Sequence, residues 1–254
     1  MSKSKYRFSN PKTSTKKNIE FLSELEEYYK ESVGTNVEKI SNSTKFVPRQ
    51  NLTYFLAKYE IFKKILNING SIIECGVLFG GGLMTFAQLS AIFEPVNHTR
   101  KIIGFDTFSG FPSITKKDKG SISKFSKKGG FALESLNDLK KCIELYDKNR
   151  FLGHIPKIEL VKGDVALTIP KFMKNNPHTV VSLLYLDFDI YKPTKIALEN
   201  FVPRMPKGSI IAFDELNSKE WPGETQAVLE TLGIKNLKIE RFPFNTFISY
   251  VVLN

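Results

Sequence analysis

Along this chain apolar residues recur first at helical spacing and then at strand spacing. From Asn18 to Val33, "NIEFLSELEEYYKESV" repeats apolar positions every three to four residues and stops at Gly34. A second amphipathic stretch, "QNLTYFLAKYEIFKKILNI" (50–68), ends at Asn-Gly. The pattern then changes to short apolar runs alternating with helical segments. The runs predict strands over 71–77, 101–106, 157–164, 180–189, 209–215, 237–242 and 246–253. Helical patterns fall at about 82–93, 133–148, 165–175, 193–202 and 223–233.

Alternating β and α elements predict an α/β fold, a mostly parallel seven-stranded sheet with helices on both faces. The last two runs are separated only by "PFN", a hairpin that makes one strand antiparallel. Residues 1–17 read as a disordered basic tail, 18–69 as an N-terminal helical segment, and 70–254 as one catalytic-sized domain. Within that domain "KKDKGSISKFSKKGG" (116–130) is of low complexity and reads as a flexible Lys-rich loop or lid.

No stretch approaches the roughly 18–20 apolar residues of a membrane span. The basic N-terminus is followed by no apolar segment, so it does not read as a secretory signal, and a cytoplasmic location with no membrane partner is expected. Cys75 and Cys142 form no metal-binding or disulfide pattern. The net charge of +11 invites a nucleic-acid reading, but its distribution opposes one. Residues 1–20 and 111–130 each carry a net +5, and the rest is nearly neutral.

Ligands of open α/β sheets bind beyond the carboxyl ends of the strands. Acids sit at or near five such ends in this chain: Glu74, Asp106, Asp164, Asp187 with Asp189, and Asp214 with Glu215. The first strand runs into "ECGVLFGGG", whose glycines at 76, 80, 81 and 82 let the backbone approach a ligand. The spacing is not the GxGxxG of a dinucleotide site, and the neighbouring Glu74 suits a cation better than a diphosphate. Asp106 is placed to take ribose hydroxyls, and "KGD" (162–164) lies where an adenine would. A ligand with adenine, ribose and a positive group but no phosphate is S-adenosylmethionine (SAM). The expected contacts are Glu74, Gly76, Val77, Gly80, Gly82, Asp106, Thr107, Phe108, Asp164, Val165 and Asp187. The plainer reading is a tight strand-to-helix turn with no ligand.

The fourth and fifth strands of such a sheet are usually neighbours, so Asp187, Asp189, Asp214 and Glu215 should converge. Their repulsion would force some to take up protons unless a cation intervened. A hard divalent ion such as Mg²⁺ suits oxygen ligands. Helix capping explains one such acid, Asp189, but not four.

Three stretches together carry a family likeness: "GSIIECGVLFGGGLMTFAQL" (70–89), "IIGFDTFSGFP" (102–112) and "LYLDFDIYKPTKIALENFVPRMPKGSIIAFDELNSKEWPGETQAV" (184–228). With "PRQNLTYFLAKYEIFKKI" (48–65), they resemble the macrocin/mycinamicin O-methyltransferase family of class I SAM-dependent enzymes, which methylate sugar hydroxyls. The resemblance implies a Rossmann-like class I methyltransferase fold. It also implies a Mg²⁺ site at Asp187, Asp214 and Glu215, with Asp189 as general base. The family usually shows two aspartates where this chain has Asp214-Glu215, which changes the reach of that ligand by one methylene.

The expected function is SAM- and Mg²⁺-dependent O-methylation of a sugar, nucleotide-linked or otherwise phosphorylated, with the Lys-rich loop meeting the phosphate. An N-methyltransferase acting on an amino-sugar or other small amine or amide is an alternative. An RNA methyltransferase is a further alternative, and so is a non-catalytic protein that keeps the fold. The N-terminal helices, outside the sheet pattern, are candidates for a homo-oligomer interface.

Overall fold

The computed structural model describes residues 15–254. The chain divides into two compact units, one up to Thr53 and one from Tyr54 to Asn254. Residues 1–14, most of the expected basic tail, lie outside the described residues. Its last two residues belong to a helix, α1 (Lys16–Glu31), which Thr15 caps through a reciprocal pair of bonds with Asn18. In the same unit Thr35 and Glu38 form the equivalent box at α2 (Asn36–Ser41). This helix carries no legible apolar repeat. Lys39 Nζ donates to the carbonyl of Tyr29 at 2.6 Å, joining α2 to the end of α1.

The second unit begins within α3 (Arg49–Ile65), whose buried face is Ala57, Lys58, Ile61, Phe62 and Ile65. Then come β1 (Ser71–Cys75), α4 (Gly81–Phe93), β2 (Ile102–Asp106), α5 (Leu136–Lys148), β3 (Ile158–Lys162) and α6 (Val165–Asn175). The chain continues through β4 (Val181–Leu186), α7 (Tyr191–Phe201), β5 (Ile210–Phe213), α8 (Pro222–Thr231), β6 (Glu240–Arg241) and β7 (Ser249–Val252).

The strands form one sheet in the order β3-β2-β1-β4-β5-β7-β6. The five strands β1 to β5 pair in parallel, and β7 runs antiparallel to both its neighbours. Alternation along each strand feeds two cores. Ile72, Ile102, Leu183, Tyr185 and Ile210 face one side, with α3, α4 and α5 residues. Ile73, Ile103, Phe105, Leu184, Leu186 and Phe213 face the other, with α6, α7 and α8 residues. Phe105, fully buried, meets Phe172 edge-on at 5.3 Å and Phe201 at 5.5 Å. Each such side chain contributes about 1.5–3 kcal/mol by burial.

This layering places the carboxyl ends of β1 to β5 along one edge. Cys75 pairs with Phe105 on one side and Leu186 on the other, and Leu186 pairs with Phe213. The residues that follow these partners are therefore neighbours: Asp106, Gly76, Asp187 and Asp214.

Candidate active site

A cavity of about 240 Å³ opens at that edge. Its lining includes Gly76, Asp106, Thr107, Asp164, Val165, Asp187, Asp189, Asp214, Glu215 and Trp221. Among the described residues six carboxylates line it, and no lysine, arginine or histidine does.

Gly76, at φ +95°, is a point of close backbone approach in the lining. A Cβ there would lie 2.0 Å from the carbonyl oxygen of Asp187, so only glycine lets β1 leave the sheet beside β4. Asp106 organises the loop that follows. Its Oδ2 accepts the amides of Val77 (2.8 Å) and Leu78 (2.9 Å), and its Oδ1 accepts that of Phe108 (2.6 Å). A carboxylate has about four acceptor positions, so these three bonds leave room for another donor. Asp164 caps α6 through Ala166 at 3.0 Å while also lining the cavity.

Of the eleven expected cofactor residues, six line the cavity: Gly76, Asp106, Thr107, Asp164, Val165 and Asp187. The other five do not. Val77 and Phe108 are buried in the core. Gly80 and Gly82 shape the turn, and a Cβ on Gly82 would meet Glu74 Oε1 at 1.9 Å. Glu74 itself is buried, and its Oε2 has no hydrogen-bond partner. Burial pushes its carboxyl up to about 8, against the pull of Lys58.

The four acids of β4 and β5 share one electrostatic problem. Burial first, then repulsion from Asp214, holds Asp187 well above the usual carboxylate range. Asp189 is raised by burial and then by Asp187 and Glu215. Burial and Asp214 push Glu215 to about 8, and its Oε2 is another buried oxygen without a partner. Asp214 is raised by burial, although Lys58 and the Tyr185 hydroxyl, donating at 2.8 Å, oppose the shift. Asp189 adopts φ +62°, a left-handed turn that ends the β4 segment. The predicted strand through residue 189 therefore stops at Leu186.

The donor set is chemically right for a hard divalent ion: oxygen ligands, mutual repulsion and an orphaned buried oxygen. As the side chains stand, among the described residues no group of three or more His, Cys, Asp or Glu side chains is arranged to hold a metal ion.

Several residues of this region carry no readable local signal. Lys58 on α3 is buried, its Nζ 3.9 Å from the Tyr185 ring centroid, and it is the cation that Glu74, Asp187 and Asp214 all feel. Glu224 on α8 is fully buried, and its Oε1 accepts the amide of Glu215 at 3.1 Å. Trp221 lines the cavity, and Phe131 and Phe111 pack on it at 5.6 and 5.7 Å. Tyr191 points elsewhere; its hydroxyl donates to Glu230 at 2.5 Å.

The Lys-rich segment, expected to be flexible, is tied down. Phe111 and Gly129–Gly130 exchange backbone bonds of 2.8 and 2.9 Å, Ser121 Oγ donates to the Glu220 carbonyl, and Phe125 stacks on Phe131 at 4.6 Å. Its lysines lie outside the cavity lining. Among the described residues no helix is long and apolar enough to cross a membrane.

Comparison with known proteins accords with this geometry. The crystal structure of CalS11, a calicheamicin methyltransferase, superposes with a TM-score of 0.90 at 34% identity, covering 96% of this chain and 95% of that one. An apo structure of CalS11, described as a TDP-rhamnose 3'-O-methyltransferase of calicheamicin biosynthesis, gives 0.82 at 33% identity, with 96% and 97% covered. The O-methyltransferase NovP shares the fold, with a TM-score of 0.61 at 17% identity over 79% of each chain. Among curated protein sequences no significant match was found. The profile described as macrocin-O-methyltransferase (TylF) matches residues 45–234. The chain therefore belongs to the macrocin O-methyltransferase family and is a SAM-dependent methyltransferase with the class I fold.

Proposed function

We propose that this enzyme methylates a hydroxyl group of a sugar, with Asp189 as the general base. The observation that carries the reading is the set of four carboxylates from the ends of β4 and β5 on one cavity with no basic side chain in its lining. Such a lining suits a sulfonium and a neutral polyol, and it repels phosphate. CalS11, 33% identical and described as a TDP-rhamnose 3'-O-methyltransferase, points to the same acceptor class. On this reading the acceptor is nucleotide-linked, its sugar entering the cavity and its phosphates staying outside, towards the lysines of 116–130.

Gly76, Asp106, Thr107, Asp164, Val165 and Asp187 would hold SAM, which supplies an electrophilic methyl group. Glu74, Val77, Gly80, Gly82 and Phe108 would shape that site from behind. The chain's own task is alignment and proton removal. Positioning an oxygen in line with the S–CH₃ bond can supply roughly 7–11 kcal/mol. A new C–O bond forms as the S–C bond breaks, and the hydroxyl proton passes to Asp189. Burial, then Asp187 and Glu215, raise its proton affinity above that of a free aspartate, which makes it a stronger base. Asp187, Asp214 and Glu215 would hold Mg²⁺, which would lower the pKa of a chelated hydroxyl.

The test is a methyl-transfer screen over nucleotide-sugars and free glycosides, with and without EDTA. Transfer to a nucleotide-linked sugar hydroxyl that EDTA abolishes and Mg²⁺ restores is expected. Transfer only to amines, insensitive to chelator, would overturn the reading.

A further inference from the structure

Asp118 is an acid in a segment of lysines, yet it is 3% exposed and pairs with none of them. Its Oδ2 accepts from the Thr115 amide (2.8 Å) and hydroxyl (2.7 Å), closing a local turn. Its Oδ1 accepts the amide of Tyr191 at 2.7 Å, 73 residues away. Tyr191 is the first residue of α7, and Ile190, at that helix's cap position, offers no side-chain bond. Asp118 therefore caps α7 from another part of the chain, where the helix dipole also favours its negative charge.

The junction includes α8 as well. A Cβ on Gly223, in the first turn of α8, would lie 2.1 Å from Asp118 Oδ1 and 2.4 Å from the Tyr191 nitrogen. Only glycine lets the three segments meet. The two helix starts follow the two acidic strand ends: Asp189 stands two residues before Tyr191, and Glu215 and Trp221 precede Gly223. Beyond the junction the Lys-rich segment is tied again by Ser121 to Glu220 and by Lys117 to Glu230 at 2.5 Å. It then delivers Gly130 and Phe131 to the cavity, against Trp221.

We propose that Asp118 is a positioning residue for methyl transfer: its carboxylate latches the 116–130 segment to the start of α7, fixing the Phe131–Trp221 wall and the turn that presents Asp189. The catalytic part of this rests on the reading of Asp189 as base; the latch itself does not.

In the full-length protein, Asp118→Ala is expected to speed hydrogen exchange at the Tyr191 amide, and tryptic cleavage between Lys116 and Lys128, roughly tenfold or more, since it strips a buried donor of its acceptor. Strand amides of β1 and β4 keep their protection. Asp118→Asn, which retains one oxygen, is expected to change both rates only about threefold. With an acceptor from the screen above, kcat falls roughly tenfold in Asp118→Ala while the KM for SAM stays within about threefold. Unchanged exchange and cleavage would overturn the proposal, as would a rise shared equally by the β-strand amides or equal losses in kcat and SAM affinity. Should Asp118→Ala not fold, Asp118→Asn decides by the same rates, and no change there overturns it. S-adenosylhomocysteine binding to the wild type, by calorimetry, separates the two ideas: no binding would count against the cofactor assignment and leave the latch standing.

Discussion

Two clusters of buried charge occupy opposite ends of the same sheet, and they are built on opposite terms. At the amino end, Arg100 is 4% exposed, and its guanidinium donors are matched on every side. Nε meets Glu94 at 2.9 Å, one terminal nitrogen donates to Gly70 and Ser182, and the other to Ile65 and Ile68. At the carboxyl end the acids raise one another's proton affinity, and Glu74, Glu215 and Glu224 each keep an unpartnered oxygen. A matched buried charge holds elements together. An unmatched one costs stability and persists where a ligand completes it. The first cluster ties α3, β1, β2 and β4 to one another; the second is the proposed reaction site.

That contrast can be broken by substitution. Asp189→Asn should lower kcat by about 10²–10⁴-fold. Its melting temperature should hold or rise, because the change removes one repelled charge. A large fall in stability with intact turnover would reverse the assignment. Arg100→Met should do the opposite, costing about 3–5 kcal/mol in urea unfolding because it strands Glu94 and several carbonyls. A loss below about 1 kcal/mol would show the amino-end network to be dispensable.

The smallest effect sharpens the comparison through pH. Glu74 and Glu215 bind a proton at about 8 in the folded chain, against 4.5 ordinarily. The folded state then holds more protons than the unfolded one between those values, so stability is greatest below about 4.5 from these groups and is lost as pH rises through 8. Thermal melts of metal-free protein should slope downward over that window, and added Mg²⁺ should flatten the slope. A slope indifferent to Mg²⁺ would remove the ion from the site.

The sheet was legible because short, nearly continuous apolar runs such as "SIIEC" and "VSLLYL" must be buried on both faces, and "PFN" leaves no room for a crossover. Strand ends were read too long where acids continue an apolar run, as at Asp187–Asp189, since the left-handed turn at Asp189 has no local marker. The short helix α2 escaped because six residues hold less than two full repeats. At the site, the acids announced themselves by position at strand ends. Lys58, Glu224 and Asp118 did not. On the page they are ordinary charges of an amphipathic helix, a first turn and a lysine-rich loop. The partners that join them to other elements lie between nine and more than a hundred positions away, and only the fold brings them together.

The sheet's margins also bear on how the protein behaves at high concentration. One outer strand, β6, is two residues long, and the other, β3, alternates its apolar positions with Glu159 and ends on Lys162. Neither margin offers a long apolar ladder onto which a second copy could add strand by strand. Growth of the sheet from molecule to molecule, the first step towards fibrils, therefore has no ready template here.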